Sequence, residues 1–218
     1  MNIQERLRWL KQEIPSTVKL IAVTKTHPLP MLREAYEAGQ LIFGENKVQE
    51  MVEKQALLPK DIEWHLIGHL QTNKVRDIAP FVSLIHSVDS LRLLKEINKQ
   101  AEQNNRVIDC LLQVYIASEE TKFGLDQEEI KNILQDKTLK TLQSIRITGL
   151  MGMATNTPDK TQVRQEFRAL NLFFEELKSG FGLPGFTELS MGMSSDYPIA
   201  VEEGSTMVRV GSLIFGNR

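Results

Sequence analysis

The amino-acid sequence predicts an α/β protein that folds as a single (β/α)8 TIM barrel over residues 1–218. Eight apolar, strand-like segments alternate with helical segments along the chain, which favours a parallel sheet covered by helices. Eight such units in 218 residues fit a closed barrel, and no linker or change of composition divides the chain. An open, doubly wound sheet is the alternative, but no G-x-G-x-x-G turn follows the first strand.

The first half of the chain contains four of the predicted strands. A first helix is predicted from apolar residues at helical spacing, which Pro15 follows: Ile3, Leu7, Leu10 and Ile14. Apolar runs then predict strands at residues 18–24, 41–43, 62–67 and 82–86. Pro30 begins a helix that Gly39 ends, and further helices are expected at 46–57 and after residue 73.

The second half repeats the pattern with clearer helix starts. Asp89 or Ser90 caps a helix at 91–104, and Asp126 with Glu129 three residues later resembles a capping box. A long helix at 160–178 has an apolar face made of Val163, Phe167, Leu170 and Phe174. A short helix is expected near 197–203. The remaining strands are predicted at residues 107–116, 145–150, 187–190 and 206–210.

Composition excludes several classes of function. Lys+Arg 26 against Asp+Glu 28 gives a net charge of -2, so no basic excess attracts nucleic acid or an anionic membrane. The single cysteine, Cys110, allows no intrachain disulfide and lies in an apolar run typical of a buried side chain. The polar start is unlike a signal peptide, and no apolar run is long enough to span a membrane. We therefore expect a soluble, cytoplasmic protein.

A lysine stands at the end of the first predicted strand. The run from Leu20 ends in Thr24-Lys25-Thr26-His27-Pro28, so Lys25 is expected at the rim of the core. Partial desolvation there favours the neutral amine, a nucleophile that forms a Schiff base with an aldehyde. Lysines at strand ends are also commonly solvated, so the position of Lys25 alone does not establish a function.

Two loops with small residues and hydroxyls follow the last two predicted strands, where barrels often bind phosphate. Residues 190–196 include Gly192, Ser194 and Ser195, and residues 209–212 contain Arg209, Gly211 and Ser212. Each loop alone is also typical of a turn with a helix cap. Closure of the barrel would place the last strand beside the first, with Lys25 near both loops. A lysine, a phosphate cradle and an arginine indicate pyridoxal phosphate (PLP), although a Schiff-base aldolase for a sugar phosphate would need a similar lysine and cradle.

Six segments also resemble the YggS/PROSC family of PLP-binding homeostasis proteins: residues 22–25 (AVTK), 43–46 (FGEN), 64–68 (WHLIG), 150–153 (LMGM), 189–194 (LSMGMS) and 209–211 (RVG). The resemblance spans nearly the whole chain. It implies the barrel of alanine racemase, known as fold type III, without the second domain. It further implies that Lys25 holds PLP covalently as an internal aldimine. It implies that Ser194, Gly211 and Ser212 bind the phosphate and that Arg209 faces the pyridine nitrogen. From the small residues and hydroxyls of the first loop, we also expect Gly192 and Ser195 to contact the phosphate.

Three further residues are candidates for cofactor contact. Asn46 follows the second predicted strand, and Met151, directly after the sixth, is placed to pack on the ring or simply to fill the core. His65 alternates with Trp64, so one of the two should face the barrel interior, as a ligand contact or as a hydrogen-bonded core histidine. His65 and His69 do not share a helix face, so we expect no metal site.

The chemistry favours a carrier over an enzyme. Arginine at the pyridine nitrogen disfavours its protonation and weakens the ring as an electron sink. Racemisation needs acid/base groups on both faces of the substrate, and we expect no second domain here to supply the second group. We assign no catalytic residue and expect a monomer that carries or buffers PLP for vitamin B6 and amino-acid homeostasis, with PLP enzymes lacking their cofactor as possible acceptors. The alternatives are a weak PLP-dependent amino-acid racemase and a barrel whose phosphate site takes another ligand.

Overall fold

The apolar segments predicted as strands form a closed parallel barrel. The computed structural model describes residues 1–117, 124–183 and 185–216, and within them eight strands pair in chain order. The strands are β1 Lys19–Val23, β2 Ile42–Glu45, β3 Glu63–Leu66, β4 Leu84–Val88, β5 Ile108–Val114, β6 Ile145–Gly152, β7 Glu188–Met193 and β8 Met207–Val210. The predicted fold class is therefore confirmed.

Helices connect the strands around the outside of the barrel. They are α1 Ile3–Glu13, α2 Leu29–Glu37, α3 Val48–Leu57, α4 Val75–Ile78, α5 Leu91–Gln103, α6 Gln127–Gln135, α7 Lys160–Phe181, α8 Tyr197–Glu202 and α9 Ser212–Phe215. Short 3₁₀ helices cover Thr72–Lys74 and Lys137–Thr141. In the part of the chain described, no helix has both the length and the apolar character needed to cross a bilayer.

Closure joins the last strand to the first. Strand β8 pairs in parallel with β1, with Arg209 opposite Ile21 and Val210 opposite Ala22. Because all the strands are parallel, their carboxyl ends meet at one rim of the barrel. The turn after β1 therefore lies beside the loops after β7 and β8, as the sequence predicted.

The two faces of the strands have different neighbours. Trp64 packs edge-on against Phe43, with ring centroids 5.8 Å apart, in the core between strands and helices. His65, the next residue on β3, faces inward and lies against His86. A small apolar cluster fills the barrel interior and consists of Ile21, Leu84, Leu111, Met151 and Met207. The alternation of Trp64 and His65 therefore gave the correct expectation that one of them faces the interior.

Some element ends differ from the prediction. Strands β6 and β7 continue past the predicted ends at residues 150 and 190. Because glycine is uncommon inside strands, the sequence did not indicate that β6 includes Gly152, which pairs with Val114 of β5. A Cβ at Gly152 would lie 2.6 Å from the Leu170 side chain of α7, so glycine allows this helix to pack close to the strand. The helix expected after residue 73 is reduced to the single turn of α4.

The predicted helix starts are largely present. Ser90 caps α5 by accepting the Leu93 N–H at 3.2 Å. Asp126 and Glu129 form the complete capping box of α6, with each side chain accepting the other residue's backbone N–H. These local motifs were predictable because their hydrogen bonds join residues three positions apart.

Candidate functional site

A cavity of about 800 Å³ opens at the carboxyl rim of the barrel. This volume falls within the range of small-molecule sites, roughly 300–1,000 Å³. Seven residues predicted from the sequence line it: Lys25, Asn46, Ser194, Ser195, Arg209, Gly211 and Ser212. The structure thus brings together residues from the ends of β1, β2, β7 and β8.

The other three predicted contacts lie outside the cavity lining. His65 and Met151 face the barrel interior one layer below it, His65 against His86 and Met151 in the apolar cluster. Gly192 has a φ of +94°, and a Cβ there would lie 2.5 Å from the Ala200 Cβ on α8. Glycine at this position lets the end of β7 pack closely against α8, while Ser194 reaches the cavity.

Ten other residues also line the cavity, and the polar ones among them, His27, His69 and Gln113, were not predicted as contacts. Each follows or ends a strand at the same rim, which is the signal that identified Lys25. His69 Nδ1 lies 3.2 Å from Asp89 Oδ2. The ring of His27 lies 4.7 Å from the ring of Phe215, centroid to centroid.

Lys25 is positioned by the end of β1. The Thr24 N–H donates to the Gly44 carbonyl at 3.0 Å, so pairing with β2 continues up to the residue before the lysine. Lys25 itself is half-buried, and it lines the cavity. Its amine therefore stands at the rim of a packed barrel instead of in a mobile loop.

The loops after β7 and β8 contact each other beside the cavity. The Gly211 N–H donates to Ser194 Oγ at 3.2 Å, which joins the two loops directly. A Cβ at Gly211 would lie 3.3 Å from the carbonyl oxygen of Val23, so the β8 loop also approaches the end of β1 closely. The Met193 N–H donates to Asp196 Oδ1 at 2.5 Å and fixes the β7 loop. Hydroxyls and backbone N–H groups at one point are suited to bind a phosphate.

Arg209 is a buried cation on β8 that lines the cavity. Its guanidinium donates from Nη1 to Ser190 Oγ at 2.5 Å and from Nη2 to the Gly152 carbonyl at 3.0 Å. Burial lowers the pKa of Arg209 to about 10, an effect that Asp196 opposes. The guanidinium therefore stays charged at neutral pH.

A chain of hydrogen bonds leads from Arg209 down the barrel. Ser190 Oγ lies 2.9 Å from His86 Nδ1, and His86 Nε2 lies 3.0 Å from His65 Nδ1. Because Arg209 donates to Ser190, the hydrogen at each of the two following contacts finds an acceptor when Ser190 donates to His86 and His86 donates to His65. We therefore assign both neutral histidines as Nε2–H tautomers.

Both imidazoles are held neutral. Burial lowers the pKa of His65 to about 3, and the charge of Lys19 adds to the effect. Burial also lowers the pKa of His86 well below its ordinary value, and repulsion from Arg209 and from His65, when His65 is protonated, adds to the effect. No group of three or more potential metal ligands occurs among the described residues. The hydroxyls, backbone N–H groups and guanidinium that line the rim suit an anionic ligand, and the amine of Lys25 suits an electrophilic carbon.

Comparison with known protein families and relatives supports this description. The alanine racemase N-terminal domain matches residues 1–218. The pyridoxal phosphate homeostasis protein of Aquifex aeolicus is 43% identical, over 100% of this chain and 99% of its own length. The protein of the same name from Haemophilus influenzae is 37% identical, over 100% of this chain and 97% of its own.

Solved structures show the same similarity. PipY of Synechococcus elongatus is 42% identical, and its structure with PLP bound has a TM-score of 0.91 over 99% of this chain and 100% of PipY. Its structure without PLP has a TM-score of 0.93 over the same shares. An alanine racemase of Streptomyces lavendulae shares the fold, with a TM-score of 0.79 at 18% identity over 99% of this chain and 57% of its own.

Proposed function

Because this chain belongs to the family of pyridoxal phosphate homeostasis proteins, we propose that it binds PLP at the carboxyl rim of the barrel and carries or buffers it. The observation that supports this most directly is the convergence of Lys25, Arg209 and the two loops on one cavity. PLP supplies an aldehyde, a phosphate and a pyridine ring that acts as an electron sink. Each of these three groups has a matching partner in the cavity.

The roles of the lining residues follow from their chemistry. Lys25 supplies the amine that binds the aldehyde carbon covalently. Ser194, Gly211 and Ser212 bind the phosphate, with Ser195 beside them. Asn46 is a polar contact on the lining, and Gly192 supports the loop without lining the cavity.

Arg209 orients the pyridine nitrogen and limits the chemistry. A guanidinium that stays charged disfavours a second positive charge on the ring. His65 acts on the ligand only through His86, Ser190 and Arg209. A bound pyridine ring would then be a weaker electron sink, which would disfavour demanding carbanion chemistry.

One observation favours the alternative of a weak amino-acid racemase. His69, paired with Asp89, lines the cavity and is a candidate acid/base group. An acid/base group at this open rim is in contact with water, which weakens its help to a transition state. We therefore favour the carrier.

Borohydride reduction tests the covalent assignment. Mixing the protein with PLP and reducing it should fix the cofactor to the peptide that contains Lys25. Lys25→Ala should lose this fixation, because it has no amine at the rim, and should keep its unfolding temperature. Lys19→Ala, at the other end of β1, is the matched control and should react as the wild type does. Fixation that persists in Lys25→Ala would assign the bond to another lysine.

A further inference from the structure

Side chains hold the peptide groups on both sides of Lys25. Before it, the carbonyl of Thr24 accepts a hydrogen bond from Lys54 Nζ at 2.7 Å. After it, the N–H of Thr26 donates to Glu50 Oε1 at 2.5 Å. Lys54 and Glu50 lie one turn apart on α3, so a single helix holds both ends of the lysine's backbone.

Lys54 is the centre of this network. Besides Thr24, its ammonium donates to Glu45 Oε1 and Glu50 Oε1, each at 2.7 Å, which uses all three of its N–H groups. Lys54 is 6% exposed and Glu45 is fully buried. A buried charge left without its partner is strongly destabilising, so these side chains remain paired in the folded protein.

The turn itself needs this support. Thr26 has a φ of +65°, in the left-handed region that a β-branched residue rarely adopts. Such a conformation persists where the surroundings determine it, and it is typical of functional sites. The bond from Thr26 N–H to Glu50 is the contact that stabilises it here.

From these contacts we propose that Glu45, Glu50 and Lys54 form a positioning network that directs the Lys25 amine toward the cavity. The proposal rests on the proposed function, in which Lys25 Nζ attacks the PLP aldehyde. In that step a C=N bond replaces the aldehyde C=O bond, and both amine hydrogens leave with the oxygen as water. Among the described residues, no hydrogen bond or ion pair joins the network to Ser194, Gly211 or Arg209, so it acts on bond formation and not on ligand docking.

The test measures the rate at which the cofactor-free protein forms the covalent bond with PLP in stopped-flow absorbance. Glu50→Ala should slow the rate by about tenfold or more, because the turn at Thr26 is no longer held and the amine is misplaced. Glu50→Gln should stay near the wild-type rate, since its amide oxygen still accepts the Thr26 N–H. Glu53→Ala, an exposed neighbour on α3, is the matched control and should leave the rate unchanged.

A ligand that docks without forming the covalent bond distinguishes a positioning role of Glu50 from a general structural role. Pyridoxine 5′-phosphate has no aldehyde, so it docks without reacting with Lys25. Glu50→Ala should bind it with wild-type affinity, whereas a purely structural role would weaken both ligands together. If Glu50→Ala fails to fold, Glu50→Asp keeps the charge but withdraws the oxygen from Thr26, and it should slow the bond-forming step severalfold.

The outcomes distinguish the two proposals. A wild-type rate in Glu50→Ala, or in Glu50→Asp where that variant is used, would overturn the positioning network. Equal loss of affinity for pyridoxine 5′-phosphate would overturn it as well. Failure of the wild-type protein to form a reducible bond at Lys25 would instead overturn the proposed function.

Discussion

At the scale of single residues, His65 and His86 show how the fold controls charge inside the barrel. An imidazole in the unfolded chain takes up a proton near pH 6.5, whereas native His65 has a pKa of about 3. The unfolded state therefore binds more protons between these values, and stability must fall as the pH falls through this window. The stability that the neutral His65 contributes to the folded state is fully present only above about pH 6.5.

This difference predicts a pH-dependent effect of His65→Gln. Glutamine keeps an acceptor for the His86 N–H but does not titrate. Between about pH 4 and 6, the slope of unfolding free energy against pH should decrease by up to about 1.4 kcal/mol per pH unit in the variant. Urea unfolding of both proteins across this range measures the two slopes. Identical slopes would mean that native His65 accepts a proton as readily as the unfolded chain does.

At the scale of elements, the loops after β7 and β8 act as a pair because Ser194 accepts the Gly211 N–H. Ser194→Ala should weaken PLP binding by ~1.5–3 kcal/mol, since a hydrogen bond to a charged phosphate is lost. Pyridoxal without the phosphate should bind both proteins almost equally. Titrations with the two ligands measure this difference, and an equal loss for both would place the phosphate elsewhere.

The elements also show how far the sequence could predict the site. Hydrophobic alternation identified the strands, and the barrel order then placed Lys25, Arg209 and both loops at one rim. Alternation also predicted that either His65 or Trp64 faces inward, but it carries no information on depth along the barrel axis. Depth depends on the stagger between neighbouring strands, which puts His65, like Met151, below the cavity. The hydrogen bonds from α3 to the Lys25 turn were equally inaccessible, because they join distant positions.

At the scale of the whole molecule, the open cavity predicts exchange of the cofactor in preference to turnover. The loaded protein should transfer PLP to an acceptor enzyme lacking its cofactor faster than it exchanges the Cα proton of an amino acid. An exposed site gives little electrostatic help to a transition state, because water competes with the protein's donors. Incubation with L-amino acids in deuterated water, followed by mass spectrometry, measures exchange, and recovered activity of the acceptor measures transfer.

The same experiment distinguishes the alternative function. Rapid deuterium incorporation or accumulation of the D-isomer that disappears in Lys25→Ala would identify a racemase. His69→Ala would then test the acid/base candidate at the rim. Stoichiometric reaction with little deuterium uptake would support the carrier.

The row of hydrogen bonds below Arg209 has a consequence for the electric field at the rim. Ser190, His86 and His65 are neutral, and each turns an acceptor atom toward the arginine and a hydrogen away from it. Their dipoles therefore add along the barrel axis, much as peptide dipoles add along a helix. His65 ends the row at a second cavity on the amino-terminal rim, beside Lys19 and Glu63. These neutral side chains thus solvate the guanidinium with dipoles of fixed orientation. The negative end of the row lies under the proposed binding site, and its positive end lies at the opposite rim.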